Sequence, residues 1–183
     1  LTITAKWKIN QYTITFDTDG GSTIAPITQN YNSLVAAPAA PVKEGYTFIG
    51  WSEIPETMPA KNVTIVAQWK ANEYTISFSA NGGSEVDAIT ASYGNAISKP
   101  NDPVREGYTF AGWSVDGITA VEFPETMPLG GLELNALWTV NQYTVTYMAD
   151  GDTEYAKYIV SFGEEVPTPT APVKEGYTFV GWT

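Results

Sequence analysis

Asp17-Thr-Asp-Gly20 is the segment whose residue types come closest to a metal site, because alternating carboxylates before a glycine begin an EF-hand calcium loop. Such a loop needs ligands at three alternating positions and a distant bidentate Glu. Here two carboxylates are followed by Gly20-Gly21, and a second copy of the segment offers only Asn81. The segment reads as a hairpin turn, and so does Asp150-Gly-Asp152. A pair of carboxylates could also cleave a glycosidic bond. Glu164 and Glu165 are adjacent, so on a strand they face opposite sides. Glu44, Glu106 and Glu175 recur as solvated charges of one repeated turn, and Glu56 and Glu125 lie in a repeated loop. There is no His and no Cys, which removes the histidine base, the thiolate nucleophile, the disulfide and the usual zinc ligands. The expectation is no catalytic residue, no metal site, no cofactor and no enzymatic activity.

Composition narrows the partners as well. The 183 residues carry 20 acidic against 9 basic side chains, a net charge of −11 that repels polyphosphate, so nucleic acid is not an expected partner. No apolar run approaches the ~20 residues of a membrane span, so no membrane insertion of this segment is expected. Aromatic residues make up 13% of the chain and are punctuated by 16 Gly and 12 Pro, which suits short strands and turns better than long helices.

The elements that position these residues repeat. Pro41-Val-Lys-Glu-Gly-Tyr-Thr-Phe-Ile-Gly-Trp51 returns as Pro103-Val-Arg-Glu-Gly-Tyr-Thr-Phe-Ala-Gly-Trp113, and again from Pro172 to Trp182. Tyr12-Thr-Ile-Thr-Phe16 matches Tyr74-Thr-Ile-Ser-Phe78 and Tyr143-Thr-Val-Thr-Tyr147, and in all three copies the leading Tyr stands at the same distance from the Pro. Pro55-Glu-Thr-Met-Pro59, followed by an apolar stretch to Trp69, matches Pro124-Glu-Thr-Met-Pro128 followed by a stretch to Trp138. Such self-similarity is the signature of a repeat architecture.

Within a repeat, Tyr12, Ile14 and Phe16 alternate with threonines, the period of a half-buried strand. Further strands are expected over 27–31, 46–51 and 63–69, with one short helical turn over 35–40 as the only candidate helix. The second copy is longer between Trp113 and Pro124, where Asp116-Gly117 suggests a hairpin with a two-residue turn. The resulting division is 1–8 as the closing strand of a preceding repeat, 9–70 as repeat 1, 71–138 as repeat 2 with an insertion at 114–123, and 139–183 as a truncated repeat 3.

Together, Tyr-Thr-Ile-x-Phe, Asp/Asn-Gly-Gly, Glu-Gly-Tyr-Thr-Phe-x-Gly-Trp and a closing apolar strand ending in Trp resemble the Listeria–Bacteroides repeat, the B-repeat family of internalin-type surface proteins. The resemblance covers essentially the whole chain. It implies mainly β, tandem small β-grasp-like modules of about four strands each, arranged as an elongated rod. It implies a stalk or spacer of a bacterial cell-surface protein, extracellular and set in a Gram-positive cell wall as part of a longer chain, and no catalytic residues. Tyr31, Tyr93, Tyr155 and Tyr158 lie outside the shared blocks, so exposed aromatics of an adhesin binding host glycan or protein are the alternative. Residues 1–8 alternate Leu1, Ile3, Ala5 and Trp7 with polar side chains, so head-to-tail self-association by strand addition is a further expectation.

Overall fold

The alternating block at Tyr12 forms β1 (Gln11–Asp17), with Ile14 and Phe16 buried and the threonines turned outward. It pairs antiparallel with β2 (Ile27–Asn30), from Gln11 opposite Asn30 to Ile14 opposite Ile27. β3 (Tyr46–Trp51) pairs antiparallel with β4 (Val63–Ala71), and β4 runs parallel to β1 from Ile14 opposite Val63 to Asp17 opposite Val66. The sheet order is therefore β2-β1-β4-β3, with the parallel pair at its centre. The structure is a computed structural model and describes all residues, Leu1–Thr183. No helix forms, and residues 35–40, where one turn was expected, are irregular.

β3 carries a bulge: Phe48 lies opposite Trp69 but Gly50 opposite Gln68, so one extra residue is absorbed. Gly50 takes φ 141°, and Gly112 and Gly181 take 128° and 142° at the matching places. A bulge therefore explains the glycine that precedes the tryptophan in every copy. Ile14, Phe16, Met58 and Ile65 form the core of repeat 1, with Tyr12, Ile24, Ile27, Val35, Trp51, Ile54 and Val63 packed around them. Met58 arrives from a loop, fixed where its N–H donates to the Ser33 carbonyl at 2.8 Å and its carbonyl accepts from Asn32 N–H at 2.9 Å.

Repeat 2 repeats the plan with β5 (Glu73–Ser79), β6 (Ile89–Ser92), β7 (Tyr108–Ser114) and β9 (Leu132–Val140), and adds β8 (Ala120–Val121), giving the order β6-β5-β9-β7-β8. Trp113 is 2% exposed although its indole N–H finds no acceptor. Burying such a ring contributes about 4–6 kcal/mol against the ~1–3 kcal/mol of an orphaned donor, so the packing prevails.

The insertion is a hairpin but lacks the expected two-residue turn. Ser114 lies opposite Ala120, which leaves residues 115–119 in the loop. The Asp116 side chain organises it by accepting from Thr119 N–H and Ile118 N–H, each at 2.8 Å, and from Ser114 Oγ at 2.8 Å. Those donors stabilise the ionised carboxyl and hold its pKa well below the usual carboxylate range.

Repeat 3 contributes β10 (Gln142–Asp150) and β11 (Thr153–Ser161), an antiparallel pair zipped up to a two-residue turn at Gly151-Asp152. Residues 177–182 form no strand. Nor do residues 1–8, contrary to expectation: Leu1, Ile3 and Trp7 are 119%, 88% and 92% exposed, because a period-two pattern becomes a strand only beside a neighbour that takes its hydrogen bonds.

The chain divides into two compact units, and neither follows a repeat boundary. The first joins Leu1–Thr75 with Thr90–Ile97 and Glu125–Gly131; the second joins Ile76–Ile89, Ser98–Pro124 and Leu132–Thr183. Each unit thus contains one whole connection between successive repeats.

Candidate functional site

The turn after β1 is built from the residues that resembled a calcium loop. Asp17 Oδ1 accepts from Asp19 N–H at 2.9 Å, and Asp19 and Gly20 take φ 47° and 83°. Lys43 caps it, donating to the Asp19 carbonyl at 2.6 Å and pairing with the Asp19 carboxylate at 3.3 Å. Arg105 donates to the Asn81 carbonyl at 3.1 Å in repeat 2, and Lys174 pairs with Asp150 at 2.8 Å in repeat 3. Each cation also lies over the Tyr three residues further along the chain: Lys43 over Tyr46, Arg105 over Tyr108 and Lys174 over Tyr177. The closing tryptophans lock the turn from the other side, Trp69 Nε1–H to the Thr18 carbonyl and Trp138 Nε1–H to the Ala80 carbonyl, both at 3.0 Å. A Cβ on Gly21 would come within 2.6 Å of the Trp69 ring, so the second glycine of the Gly-Gly pair makes room for that ring. Nowhere do three acidic side chains gather.

The connection between repeats is the most elaborately repeated contact of the chain. β4 ends at Ala71 and β5 starts at Glu73, with Asn72 alone between them. Asn72 N–H donates to the Gly45 carbonyl at 2.9 Å, and its side-chain Oδ1 accepts from Thr47 Oγ1 at 2.5 Å. Its own carbonyl accepts from Tyr93 N–H at 2.8 Å. One asparagine therefore ties the Glu-Gly-Tyr turn of one repeat to the residue that follows β6 in the next. The Tyr93 ring then lies on Gly45, where a Cβ would overlap it, and meets the Tyr46 and Tyr74 rings edge-on at centroid distances of 5.7 and 6.3 Å.

Every part recurs one repeat later. Asn141 N–H donates to the Gly107 carbonyl at 2.9 Å, Asn141 Oδ1 accepts from Thr109 Oγ1 at 2.6 Å, and the Asn141 carbonyl accepts from Phe162 N–H at 2.8 Å. Phe162 lies on Gly107, again where a Cβ would overlap it, and packs against Tyr108 and Tyr143 at 6.1 and 6.5 Å. Gly45 and Gly107 take φ 79° and 76°, so both backbone shape and close approach demand glycine.

Each of the tyrosines singled out from sequence has its contacts inside its own compact unit. Tyr31 is 48% exposed and its N–H donates to the Asn10 carbonyl at 2.8 Å. Tyr93 is in the junction just described, Tyr155 lies against Trp182 at 5.6 Å, and Tyr158 against Tyr147 at 6.0 Å. Glu44, Glu106 and Glu175 are exposed turn residues, Glu56 and Glu125 expose their side chains, and Glu164 caps a turn by accepting from Ser161 N–H at 3.2 Å. Sequence reasoning missed the junction asparagines. The signal was available, since Asn10, Asn72 and Asn141 all stand two residues before the leading Tyr of a repeat.

Comparison with known proteins agrees with this repeat structure. The profile of the Listeria-Bacteroides repeat domain matches residues 12–68, 74–136 and 143–183. A protein of Evansella cellulosilytica named "Putative membrane protein" is 36% identical over all of this chain and 29% of its own length. A second from the same organism, named "Putative Gly-rich membrane protein", is 34% identical over all of this chain and 22% of its own. Internalin H of Listeria monocytogenes is 36% identical over 71% of this chain and 25% of its own length. The chain thus spans less than a third of the length of each of these relatives. None of its helices could cross a membrane, since none forms.

Proposed function

This chain belongs to the Listeria-Bacteroides repeat family, and we propose that it serves as a spacer, a structural repeat region of a bacterial cell-surface protein, exposed outside the cell. The observation that carries the reading is the twice-built junction, Asn72 with Gly45 and Tyr93, then Asn141 with Gly107 and Phe162. Connectors of Gly and Ser leave successive domains free to reorient. Here a single asparagine spends its N–H, its side-chain oxygen and its carbonyl on the two repeats it joins, and an aromatic ring fills the hollow over a glycine. A spacer needs such coupling, because its work is to transmit position rather than to react. The relatives' names, which place two of them at a membrane and one among internalins, support a surface setting.

The test uses the absence of native cysteine, which lets spin labels be placed at will. Labels at exposed Lys61 and Asn95, which lie in one compact unit on the two sides of the first junction, should give one narrow distance distribution by pulsed electron resonance. Gly45→Val should broaden it while the strand signal of circular dichroism persists. A distribution already broad in the native chain overturns the spacer reading, and capture of the chain by a host glycan array replaces it with an adhesin.

A further inference from the structure

The hairpin of repeat 2 has no counterpart in repeat 1, where Ser52, Glu53 and Ile54 alone join Trp51 to Pro55. Repeat 1 nevertheless builds the same four strands in the same order, β2-β1-β4-β3 against β6-β5-β9-β7. Its β3 is a bare edge, whereas β7 is covered by β8. The fold of a repeat therefore does not require the hairpin.

Nor does covering an edge explain the side chains it carries. Every residue from Val115 to Glu122 is exposed. Three of them are aliphatic: Val115, Ile118 and Val121 are 53%, 82% and 40% exposed. Elsewhere such side chains stand singly and recur at matching places, as Val42 and Val104 do. Isolated exposed aliphatics are ordinary on any protein, but a cluster within one short hairpin is the composition of a contact surface.

The hairpin is also rigid. Ser114 is buried, and its Oγ donates to Asp116 Oδ1 at 2.8 Å and accepts from Gly117 N–H at 3.0 Å. With the amides of Ile118 and Thr119 on the same carboxylate, four hydrogen bonds fix the loop. The stem rests on the sheet, where Phe123 stacks on Phe78 at 6.3 Å and Ala120 lies 3.1 Å from where a Cβ of Gly112 would stand. A surface that is ordered before contact loses little entropy on binding.

We propose that this hairpin is a docking site for an extended, cationic segment of another protein, which adds as a strand along the free edge of β8 and covers Val115, Ile118 and Val121. β8 has β7 on one side and no strand on the other, and such an edge offers N–H and C=O groups to an incoming strand. Charge selects the occupant. Residues 114–123 carry Asp116 and Glu122 and no cation. The donors around Asp116 keep its carboxyl ionised far below neutral pH. The hairpin of a second copy would bring like charges together, and nucleic acid or an anionic lipid surface is repelled in the same way. Lysine or arginine alternating with aliphatic residues suits both halves of the surface. Val121 and Glu122 are successive, so a strand of that pattern offers an apolar face to one and a cation to the other.

The experiment titrates the isotope-labelled chain with a synthetic end-blocked peptide, Lys-Val-Lys-Val-Lys-Val, and follows the backbone amides by NMR. Shifts concentrated at residues 114–123 are expected at millimolar peptide, and they should weaken as salt is raised. Ile118→Ser should weaken binding by about tenfold, and Glu122→Gln by about twofold to fivefold at low salt. The peptide Glu-Val-Glu-Val-Glu-Val should not bind. Replacing residues 114–123 by the Ser-Glu-Ile of repeat 1 should abolish binding and leave the melting temperature near that of the native chain. Hairpin amides that do not move overturn the proposal, as does an acidic peptide that binds equally well. So does self-association of the chain through the hairpin, or unfolding of the shortened chain, which would make the hairpin a structural support. None of these outcomes bears on the labels at Lys61 and Asn95, so the spacer reading stands or falls separately.

Discussion

The Tyr93 ring occupies the space a Cβ of Gly45 would need, and the two residues are bridged through Asn72, which donates to the Gly45 carbonyl and accepts from Tyr93 N–H. Packing and hydrogen bonding therefore specify the same contact. Gly45→Ala should destabilise the chain by about 2–4 kcal/mol, through overlap with the ring and a φ of 79° that a side chain resists. A matched control lies nearby. Gly94 has φ 75° with nothing within 4 Å, and its counterpart in repeat 1 is Asn32 at φ 63°. Gly94→Asn should change stability by less than about 0.5 kcal/mol. Urea unfolding of the two variants checks both values, and equal effects would assign the role of Gly45 to backbone conformation alone.

Tyr93→Ala should relieve part of what Gly45→Ala introduces. The double variant is expected to be less destabilised than the two singles together, by about 1–2 kcal/mol, since the substitutions touch one contact. Additive losses in a double-mutant cycle would mean that the ring and the glycine act independently.

Acid should loosen the hairpin between β7 and β8 only at unusually low pH. The carboxyl of Asp116 is held below its ordinary value by Thr119 N–H, Ile118 N–H and Ser114 Oγ. A depressed folded-state value means that the contribution is complete above the unfolded-state value, about 3.9, and is lost as pH falls through the lower folded-state value. The amides of Ile118 and Thr119 should keep their protection from hydrogen exchange down through pH 4. Asp116→Asn should lose protection at those two amides at neutral pH, with β9 unaffected.

Chelation should leave the melting temperature where it is. Asp19 and Asp150 pair with Lys43 and Lys174, and Asp17 accepts from the backbone, so the carboxylates that resemble a calcium loop are already engaged within the chain. A fall of several degrees in EDTA would show that a cation holds the turns instead.

How far the sequence discloses this structure depends on whether a residue's partner lies in its own block. β1, β2, β3 and β4 form where alternation places them, because each pattern is local and its neighbour strand belongs to the same repeat. Tyr93 and Phe162 were illegible as junction residues, since the hollows that receive them belong to Gly45 and Gly107 of the preceding repeat. Asp116-Gly117 has the chemistry of a two-residue turn, yet the Asp116 side chain draws in Ile118 and Thr119 and widens the loop to five residues. Residues 1–8 show the converse. Their pattern is that of β4, but alternation specifies which face would be buried and supplies no strand to pair with.

Met58 was the core residue hardest to foresee, because Pro55-Glu-Thr-Met-Pro59 looks like an exposed loop and its glutamate is one. Yet Met58 is 0% exposed, as is Met127 in the matching loop. The prolines stiffen the segment and the hydrogen bonds to Ser33 and Asn32 fix its height over the sheet, so the one apolar side chain is driven into the space among Ile14, Phe16 and Ile65. A loop held that firmly cannot collapse to refill a vacancy. Met58→Ala should therefore cost about 2–5 kcal/mol, as large-to-small changes in rigid cores do. Met58→Leu nearly conserves volume and should cost less than about 1.5 kcal/mol. Glu56→Ala, which removes only solvent-exposed side-chain atoms two residues away, should be neutral within about 0.5 kcal/mol. Thermal unfolding of the three variants distinguishes a core plug from a passive loop: if Met58→Ala melts with Glu56→Ala rather than well below Met58→Leu, the side chain contributes nothing to the fold beyond covering it.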